Sequence, residues 1–345
     1  MHRRSTVAAA RWLLALALLA PLLSAAGTSA QAAPDWTRID RAMAGQAPRA
    51  NLLVAEIVDG GCAPVHSWHA DDRLAIASTF KLYVLAELVR QIDAGEAEWD
   101  ERFPIQDAYR SMPSGDLAYA SEGTKVTLER YAAVMIAQSD NTATDHLIAR
   151  LGRLNVEAAF ARTGHGAPEL NTPLLLTREL FAIKMRQPDR WMADYERAGD
   201  AQQRSMLAHD IDPMHLDPYG GWGNWSGPTS IDGIEWFASA AEVCAVLARL
   251  HQQSRQPELA PLRAILFSNS GGVARDPAWR EIGFKAGYEA GVVNLTWLVE
   301  RNDSRAFIVT AGLNDPARLP DGWGPREALV PVWTCLADRA ACGPS

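Results

Sequence analysis

Short apolar runs near both ends of the chain predict β-strands, and a long segment with helical spacing separates them. Asn51–Val58 and Val65–Trp68 flank a Gly- and Pro-containing turn at residues 59–64, which predicts an N-terminal hairpin. Three more strand-like runs follow near the C-terminus: Ile282–Tyr288, Gly291–Glu300 and Ala306–Leu313. We therefore expect one antiparallel sheet that is assembled from both chain ends.

Apolar positions spaced three and four residues apart predict helices in most of the remaining chain. They predict a helical lobe at about 98–250 that is inserted into the sheet lobe, so the fold class is mixed α/β of the α+β type. A ligand site would then lie in the cleft between the two lobes. The predicted helices are 35–46, 76–95, 128–138, 145–151, 177–187, 239–250, 262–267 and 326–337.

The first 32 residues have the layout of a secretory signal peptide. Arg3, Arg4 and Arg11 precede a Leu/Ala-rich run, and small residues near Ala32 form a cleavage site. The apolar run is too short to predict a membrane span, so no stable membrane insertion is expected. We expect a periplasmic or secreted protein whose mature domain covers residues 33–345.

Charge and cysteine usage narrow the function classes further. The chain has 33 Lys+Arg against 41 Asp+Glu, a formal net charge of −8, which argues against nucleic-acid binding. The four cysteines, Cys62, Cys244, Cys335 and Cys342, allow three full pairings in an exported protein. A local bridge between the last two is compatible with the sequence, whereas Cys244 lies in a helical run and is interpreted as a small buried apolar residue.

No cysteine has metal-ligand spacing, so neither a zinc site nor any other cofactor is predicted. The polar run 209–215 contains two His and two Asp, but a solvated loop explains it better than a metal site. We expect a monomer that acts on a small molecule.

The chemistry-bearing stretch is the run from Ile76 to Val84, in which Ser78 and Lys81 are three residues apart at a helix start. Such residues share one helix face, so the amine could take the proton of the serine hydroxyl once burial lowers its pKa. Only four residues of the chain are Lys, although Arg is common. Arg could not serve as a base, because it does not deprotonate in proteins.

Two further motifs follow in the order expected for one catalytic constellation. Ser139 and Asn141 belong to a Ser-Asp-Asn run between two predicted helices, and Lys285 begins Lys-Ala-Gly on the first C-terminal strand. Ser, Asp and Asn are also common helix caps, so capping is the alternative interpretation of the second motif. Together, the three motifs resemble the signature of class A β-lactamases and penicillin-binding proteins. The resemblance covers the chain from about Ala50 to its end, and it implies a β-lactamase/transpeptidase-like fold.

The resemblance implies a role for each matching residue. Ser78 would attack the acyl carbon, Lys81 would accept its proton, and Ser139 would pass a proton to the leaving group. Lys285 would supply positive charge near Ser139 and the substrate carboxylate, and Asn141 would bind the substrate's side-chain amide. Ala286, Gly287 and Tyr288 would line the substrate site, with the N–H groups of Ser78 and Tyr288 as the oxyanion hole.

Three departures from the family pattern matter. Aligned on Leu170-Asn171, the position of the family's deacylating glutamate is Ala167, and Thr172-Pro173 follows at once, so the loop that carries this glutamate in the family looks truncated. Glu169 is the fallback base, with a solvent-facing loop acid as the alternative. Ala286 replaces the expected Thr or Ser, and no Arg lies between Lys285 and Arg301, so recognition of a substrate carboxylate should be weaker.

A Gly/Trp-rich segment at 218–228 offers a further hypothesis. It could cover the cleft, with Trp222 or Trp225 stacking on substrate, or it could be a surface loop held by buried aromatics. Residues 234–240 also resemble a helix start in atypical β-lactamase-like proteins, one of them tied to clavulanic acid biosynthesis.

The sequence favours an exported serine hydrolase that forms an acyl-enzyme at Ser78. Hydrolysis of β-lactam amide bonds is the first hypothesis. The second is an esterase or D,D-peptidase on the same machinery. The third is a penicillin-binding or sensory module that acylates without turnover.

Overall fold

The computed structural model describes residues 33–186, 188–214, 227–273, 276–338 and 342. Its strands are β1 (Arg49–Val58), β2 (Gly61–Trp68), β3 (Arg73–Ala75), β4 (Arg102–Pro104), β5 (Lys125–Thr127), β6 (Phe237–Ser239), β7 (Trp279–Glu289), β8 (Val292–Arg301) and β9 (Ala306–Asn314). Its helices are α1 (Trp36–Ala44), α2 (Lys81–Asp93), α3 (Leu128–Ala137), α4 (Asn141–Leu151), α5 (Arg153–Arg162), α6 (Thr177–Phe181), α7 (Pro188–Arg197), α8 (Asp200–Met206), α9 (Ala240–Gln253), α10 (Ala260–Leu266), α11 (Gly324–Ala328) and α12 (Val330–Ala337).

Five of the strands form one antiparallel sheet in the order β2-β1-β9-β8-β7, which confirms the prediction of a sheet built from both chain ends. Successive side chains of a strand point to opposite faces, so the sheet feeds two cores. Leu53 and Ile308 pack with the central helices, whereas Leu52 and Val309 pack on the side of α1 and α12. The remaining strands make two small pairs, β3 with β6 and β4 with β5.

The N-terminal hairpin is tighter than the sequence predicted. Residues 61–64 were expected in the turn, but they belong to β2 and pair with β1, with Gly61 opposite Val58 and Pro64 opposite Ala55. The turn needs only Asp59 and Gly60, which both have positive φ, as a two-residue hairpin turn requires. Pro64 is tolerated because β2 is an edge strand, where a missing N–H costs little.

Two predicted helices are divided in the structure. The run predicted as 177–187 forms α6 and then a π-helical turn, Ala182–Arg186. The run predicted as 326–337 breaks at Leu329 into α11 and α12, because Pro331 in the first turn of α12 cannot continue a helix from the preceding residues. Within the described ranges, no helix is long and apolar enough to cross a bilayer.

All four cysteines are joined in pairs. Cys335 and Cys342 form the local bridge, and Cys62 on β2 is bonded to Cys244 on α9. The interpretation of Cys244 as an unpaired apolar residue is therefore wrong, although the residue is fully buried. Its partner could not be foreseen, because the bond depends on α9 packing across β1 and β2, far away in sequence.

Candidate active site

Ser78 lies on a 3₁₀ turn, Ala77–Phe80, that leads directly into α2. The turn is fastened to the sheet, since the Thr79 hydroxyl donates to Asn294 Oδ1 on β8 at 3.0 Å. Strand β7 lies against the same turn at Gly287, where an added Cβ would overlap the Ile76 carbonyl and stand 3.0 Å from the Ser78 nitrogen. Only glycine allows this close approach of strand and turn.

Lys81 is the first residue of α2, and its side chain is completely buried. Its Nζ donates to Asn141 Oδ1 at 2.6 Å, to the Ser139 carbonyl at 2.7 Å and to Ser139 Oγ at 3.1 Å. Burial lowers the pKa of Lys81 from 10.5 to about 7, and the charges of Asp140 and Asp145 offset part of this effect. A substantial neutral fraction therefore exists at physiological pH, as a base requires.

Ser139 connects α3 to α4 in a left-handed conformation, with φ of 58°. The following residue, Asp140, caps α4 by accepting from the Ala143 nitrogen at 2.7 Å. Asp140 therefore performs the capping that was the alternative for its neighbours, while the Ser139 and Asn141 side chains contact the Lys81 amine.

Lys285 contacts the same Ser139 hydroxyl as Lys81. Its Nζ donates to Ser139 Oγ at 3.0 Å, so this hydroxyl lies between two amines. Burial and the nearby charge of Lys81 hold the pKa of Lys285 well below its usual value. A bound anion would favour the charged form of Lys285, because an opposite charge close by raises the pKa of an amine.

These side chains open into one cleft of about 310 Å³. One wall carries Phe181 at the end of α6, and the other is strand β7. Among the described residues, those that line the cleft include neither Asp nor Glu: Ser78, Pro113, Ser114, Ile136, Ala137, Gln138, Ser139, Asn141, Phe181, Asn269, Phe284, Lys285, Ala286 and Tyr288.

The residue at the position expected for the deacylating glutamate is Ala167. Ala167 is half-buried, and Glu169 is exposed on a 3₁₀ turn, Pro168–Asn171, outside the set of residues that line the cleft. Only residues 172–176 join this turn to α6. Asn171 exchanges two hydrogen bonds with the Phe237 backbone, at 2.9 and 3.0 Å, which holds the turn against β6.

Two residues near the cleft escaped the sequence motifs. Phe181 reaches it because the Asp145 carboxylate accepts from the Thr177 nitrogen at 2.7 Å and fixes the start of α6. Arg326 on α11 donates to Tyr288 Oη at 3.2 Å, and its guanidinium lies 5.0 Å from the centre of the Phe284 ring. The family pattern places such a cation on the strand after Lys285, and no spacing rule links α11 to β7.

The remaining candidates fall partly outside the described residues. Trp222, Trp225 and His215 belong to residues 215–226, which lie outside them. His209 is exposed, and its ring nitrogen contacts the Ser205 carbonyl at 2.9 Å. No group of three metal-ligating side chains is found in the part of the chain that the structure describes.

Comparison with known proteins relates this fold to one family. The chain matches the model of the β-lactamase enzyme family over residues 36–322. The fold is similar to that of a β-lactamase from Sphaerobacter thermophilus DSM 20745, with a TM-score of 0.59, 19% identity and coverage of 90% of this chain and 98% of that one. Two further similar structures have the same TM-score of 0.59. One is a point mutant of PBP-A in an acyl-enzyme complex with penicillin G, at 17% identity, covering 87% of this chain and 95% of that one. The other is a point mutant of the class A β-lactamase of the last common ancestor of Gram-negative bacteria, at 18% identity, covering 88% and 98%.

Proposed function

This chain belongs to the β-lactamase enzyme family, and from that premise we propose that it is an exported serine hydrolase whose Ser78 is acylated by β-lactam amides. The observation that carries the proposal is the buried Lys81 amine, with its pKa of about 7, within hydrogen-bond distance of Ser139 and Asn141. A neutral amine at the start of the Ser78 helix is the base that a serine nucleophile needs.

In the proposed acylation, Ser78 Oγ attacks the lactam carbonyl carbon while Lys81 takes the hydroxyl proton. The resulting oxyanion is held by the N–H groups of Ser78 and Tyr288, and each such donor contributes about 3 kcal/mol to transition-state stabilisation. Lys81 then returns the proton through Ser139 Oγ, 3.1 Å away, to the lactam nitrogen as the C–N bond breaks. Ser139 accepts one proton and donates another, so the relay leaves it unchanged.

Substrate recognition in this proposal uses the groups at the two ends of the cleft. Asn141 Nδ2, which donates to the Met112 carbonyl at 3.1 Å, would donate its second N–H to the substrate's side-chain amide. Lys285 attracts the substrate carboxylate and becomes fully charged when that anion binds. Phe181 and Phe284 would contact the apolar part of the acyl group.

A second candidate function is favoured by the lack of Asp and Glu in the described lining of the cleft. With no carboxylate among the described residues that line the cleft, hydrolysis of the acyl-enzyme would need another base, and Lys81 is the candidate. An ester or a D-alanyl peptide could then be the natural substrate, or the protein could bind penicillins and remain acylated. These outcomes share the acylation step and differ in the lifetime of the acyl-enzyme.

Export of the mature domain is part of the proposal. Two disulfide bonds, one of them between β2 and α9, are typical of proteins that fold in an oxidising compartment. N-terminal sequencing of the protein recovered from periplasm or medium should begin just after residue 32.

The substrate class can be tested by steady-state assays on the mature protein. We would compare a chromogenic cephalosporin with a simple chromogenic ester, using Ser78→Ala and, as a matched control, Ser205→Ala at an exposed site on α8. Multiple turnovers of the cephalosporin that disappear only in Ser78→Ala would support a β-lactamase. Rapid ester turnover with stalled cephalosporin would favour the second candidate, and full activity in Ser78→Ala would contradict both.

A further inference from the structure

Three charged side chains lie buried beside the cleft and take no part in the chemistry proposed above. They are Lys184 on the π-helical turn, Glu235 just before β6 and Glu289 at the end of β7. Their side chains are 0%, 0% and 3% exposed. Lys184 Nζ forms an ion pair with the Glu289 carboxylate and lies 3.5 Å from Glu235 Oε1.

Each member of this triad is close in sequence to a residue that builds the cleft. Lys184 follows Phe181 by one helical turn, and Glu289 directly follows Tyr288. Glu235 precedes Trp236, whose ring stacks on Phe80 at 3.9 Å between centroids. The Trp236 carbonyl also accepts from the Ile76 nitrogen at 2.9 Å, immediately before the Ser78 turn. The triad therefore links the two walls of the cleft to Trp236, which supports the Ser78 turn.

The two carboxylates share a single lysine. Burial and the charge of Glu235 raise the pKa of Glu289 well above its usual range, and Lys184 offsets only part of this. The triad is thus neutral when one carboxyl group holds a proton. Two other charged side chains lie near the end of β7, and both have other partners. Lys285 contacts Ser139. Arg326 contacts the Tyr288 hydroxyl.

We propose that Lys184, Glu235 and Glu289 are positioning residues that hold the Phe181 wall and residues 235–237 against the Tyr288 end of β7. The contact is complete only while one of the two carboxyl groups is protonated, so it forms a proton-dependent lock on the cleft. The catalytic consequence rests on the proposed acylation at Ser78, whereas the lock itself does not.

The sign of the pH dependence follows from the buried acid. A carboxyl group whose pKa is higher in the folded than in the unfolded state stabilises the fold most at low pH, and this contribution decreases as the pH rises through the folded pKa. Loss of the proton leaves a second negative charge in a buried site beside one lysine. Between the ordinary carboxyl pKa of the opened state and the raised pKa of the locked one, the locked population falls by up to about tenfold per pH unit relative to the opened one.

The decisive variant is Glu235→Gln, which removes one of the two like charges and keeps an acceptor for the Trp236 nitrogen. In the wild type we expect the melting temperature to decrease as the pH rises from 5 to 9, because the shared proton is lost above the ordinary carboxyl range. In Glu235→Gln this decrease should be smaller, so the variant should melt above the wild type at pH 9, and the ratio of its acylation rate to the wild-type rate should rise by at least about threefold over this range. A variant that merely folds badly would not show this gain.

Two further variants should change the pH dependence of the melting temperature in the opposite direction and not at all, respectively. Lys184→Met leaves two acids without their cation, so its melting temperature should fall more steeply with pH than that of the wild type. Glu300→Gln is the matched control, because Glu300 is also a buried acid of the sheet but pairs with Arg263 and Arg280, away from the cleft residues. It should lower stability without changing the pH dependence between pH 7 and 9.

The melting and acylation measurements separate this inference from the proposed function. An unchanged pH dependence of both in Glu235→Gln would overturn the lock, even if Ser78 is acylated normally. Conversely, if Ser78 is never acylated but the melting results are as expected, the lock is supported and the proposed function fails.

Discussion

The Lys81→Arg substitution removes the ability of this side chain to lose a proton while keeping its positive charge. With a pKa of about 7, half of the Lys81 amines are neutral at pH 7. An amine at the ordinary value of 10.5 would be neutral in only about one molecule in 3,000. Burial therefore raises the concentration of usable base by a factor on the order of 10³. Because Arg stays protonated, we expect Lys81→Arg to lower the acylation rate by at least about 10³-fold.

Single-turnover acylation with excess protein and a chromogenic cephalosporin would measure this effect from pH 5.5 to 8.5. The neutral fraction of Lys81 increases about tenfold per pH unit below pH 7 and levels off near that pH, so the wild-type rate should rise steeply between pH 5.5 and 7. Lys125→Arg, at an exposed lysine on β5, is the matched control and should acylate at the wild-type rate. Circular dichroism would verify that both variants are folded. A Lys81→Arg rate within tenfold of the wild type, or a wild-type rate that is flat between pH 5.5 and 7, would refute the role of Lys81 as the base.

Three further variants test separate parts of the structure. Cys62→Ser combined with Cys244→Ala should lower the free energy of unfolding by up to about 5 kcal/mol, as the chain-entropy relation gives for a sequence separation of 182, and urea denaturation that shows no loss would argue against this bond. Gly287→Ala should reduce the acylation rate by at least about tenfold, because the new Cβ would press on backbone beside Ser78; a rate equal to that of the wild type in the single-turnover assay would show that the strand can move away. Glu169→Gln should leave the decay of the acyl-enzyme unchanged, since this acid is exposed and outside the cleft lining, and a slower decay by mass spectrometry would restore it as the deacylation base.

Local patterns were sufficient for the strands and for most helices. Alternating and continuous apolar runs identified β1, β7, β8 and β9 to within three residues, because these strands are buried on one or both faces. Only the second half of the edge strand β2 was predicted, because none of its residues is buried. The short strands β3 and β6 were missed, since three residues carry too little periodicity and their pairing joins distant parts of the chain.

The three motifs located the core of the site, because each fixes a side chain within one local element. Ser78 and Lys81 share one turn and helix start, and Ser139 lies in a single left-handed step between two helices. What brings Lys285 to Ser139 is tertiary packing, and only the order of the motifs pointed to it.

Residues that act through long-range packing were not predictable. The pairing of Asn171 with Phe237 holds the turn Pro168–Asn171 against β6, and no local signal marks the two residues as neighbours. Lys184, Glu235 and Glu289 each have the sequence context of an ordinary polar position. Their burial becomes visible only when three separate segments meet in the fold.

The most direct test of the central proposal is intact-mass and peptide-mapping spectrometry of the mature protein after a brief incubation with penicillin G. Opening of a β-lactam ring by a serine keeps every atom of the ligand, so the protein should gain the full mass of the penicillin. We expect this mass on the peptide that contains Ser78 and not in Ser78→Ala. A protein that remains unmodified while the penicillin also stays intact, or an adduct on another residue, would contradict acylation at Ser78.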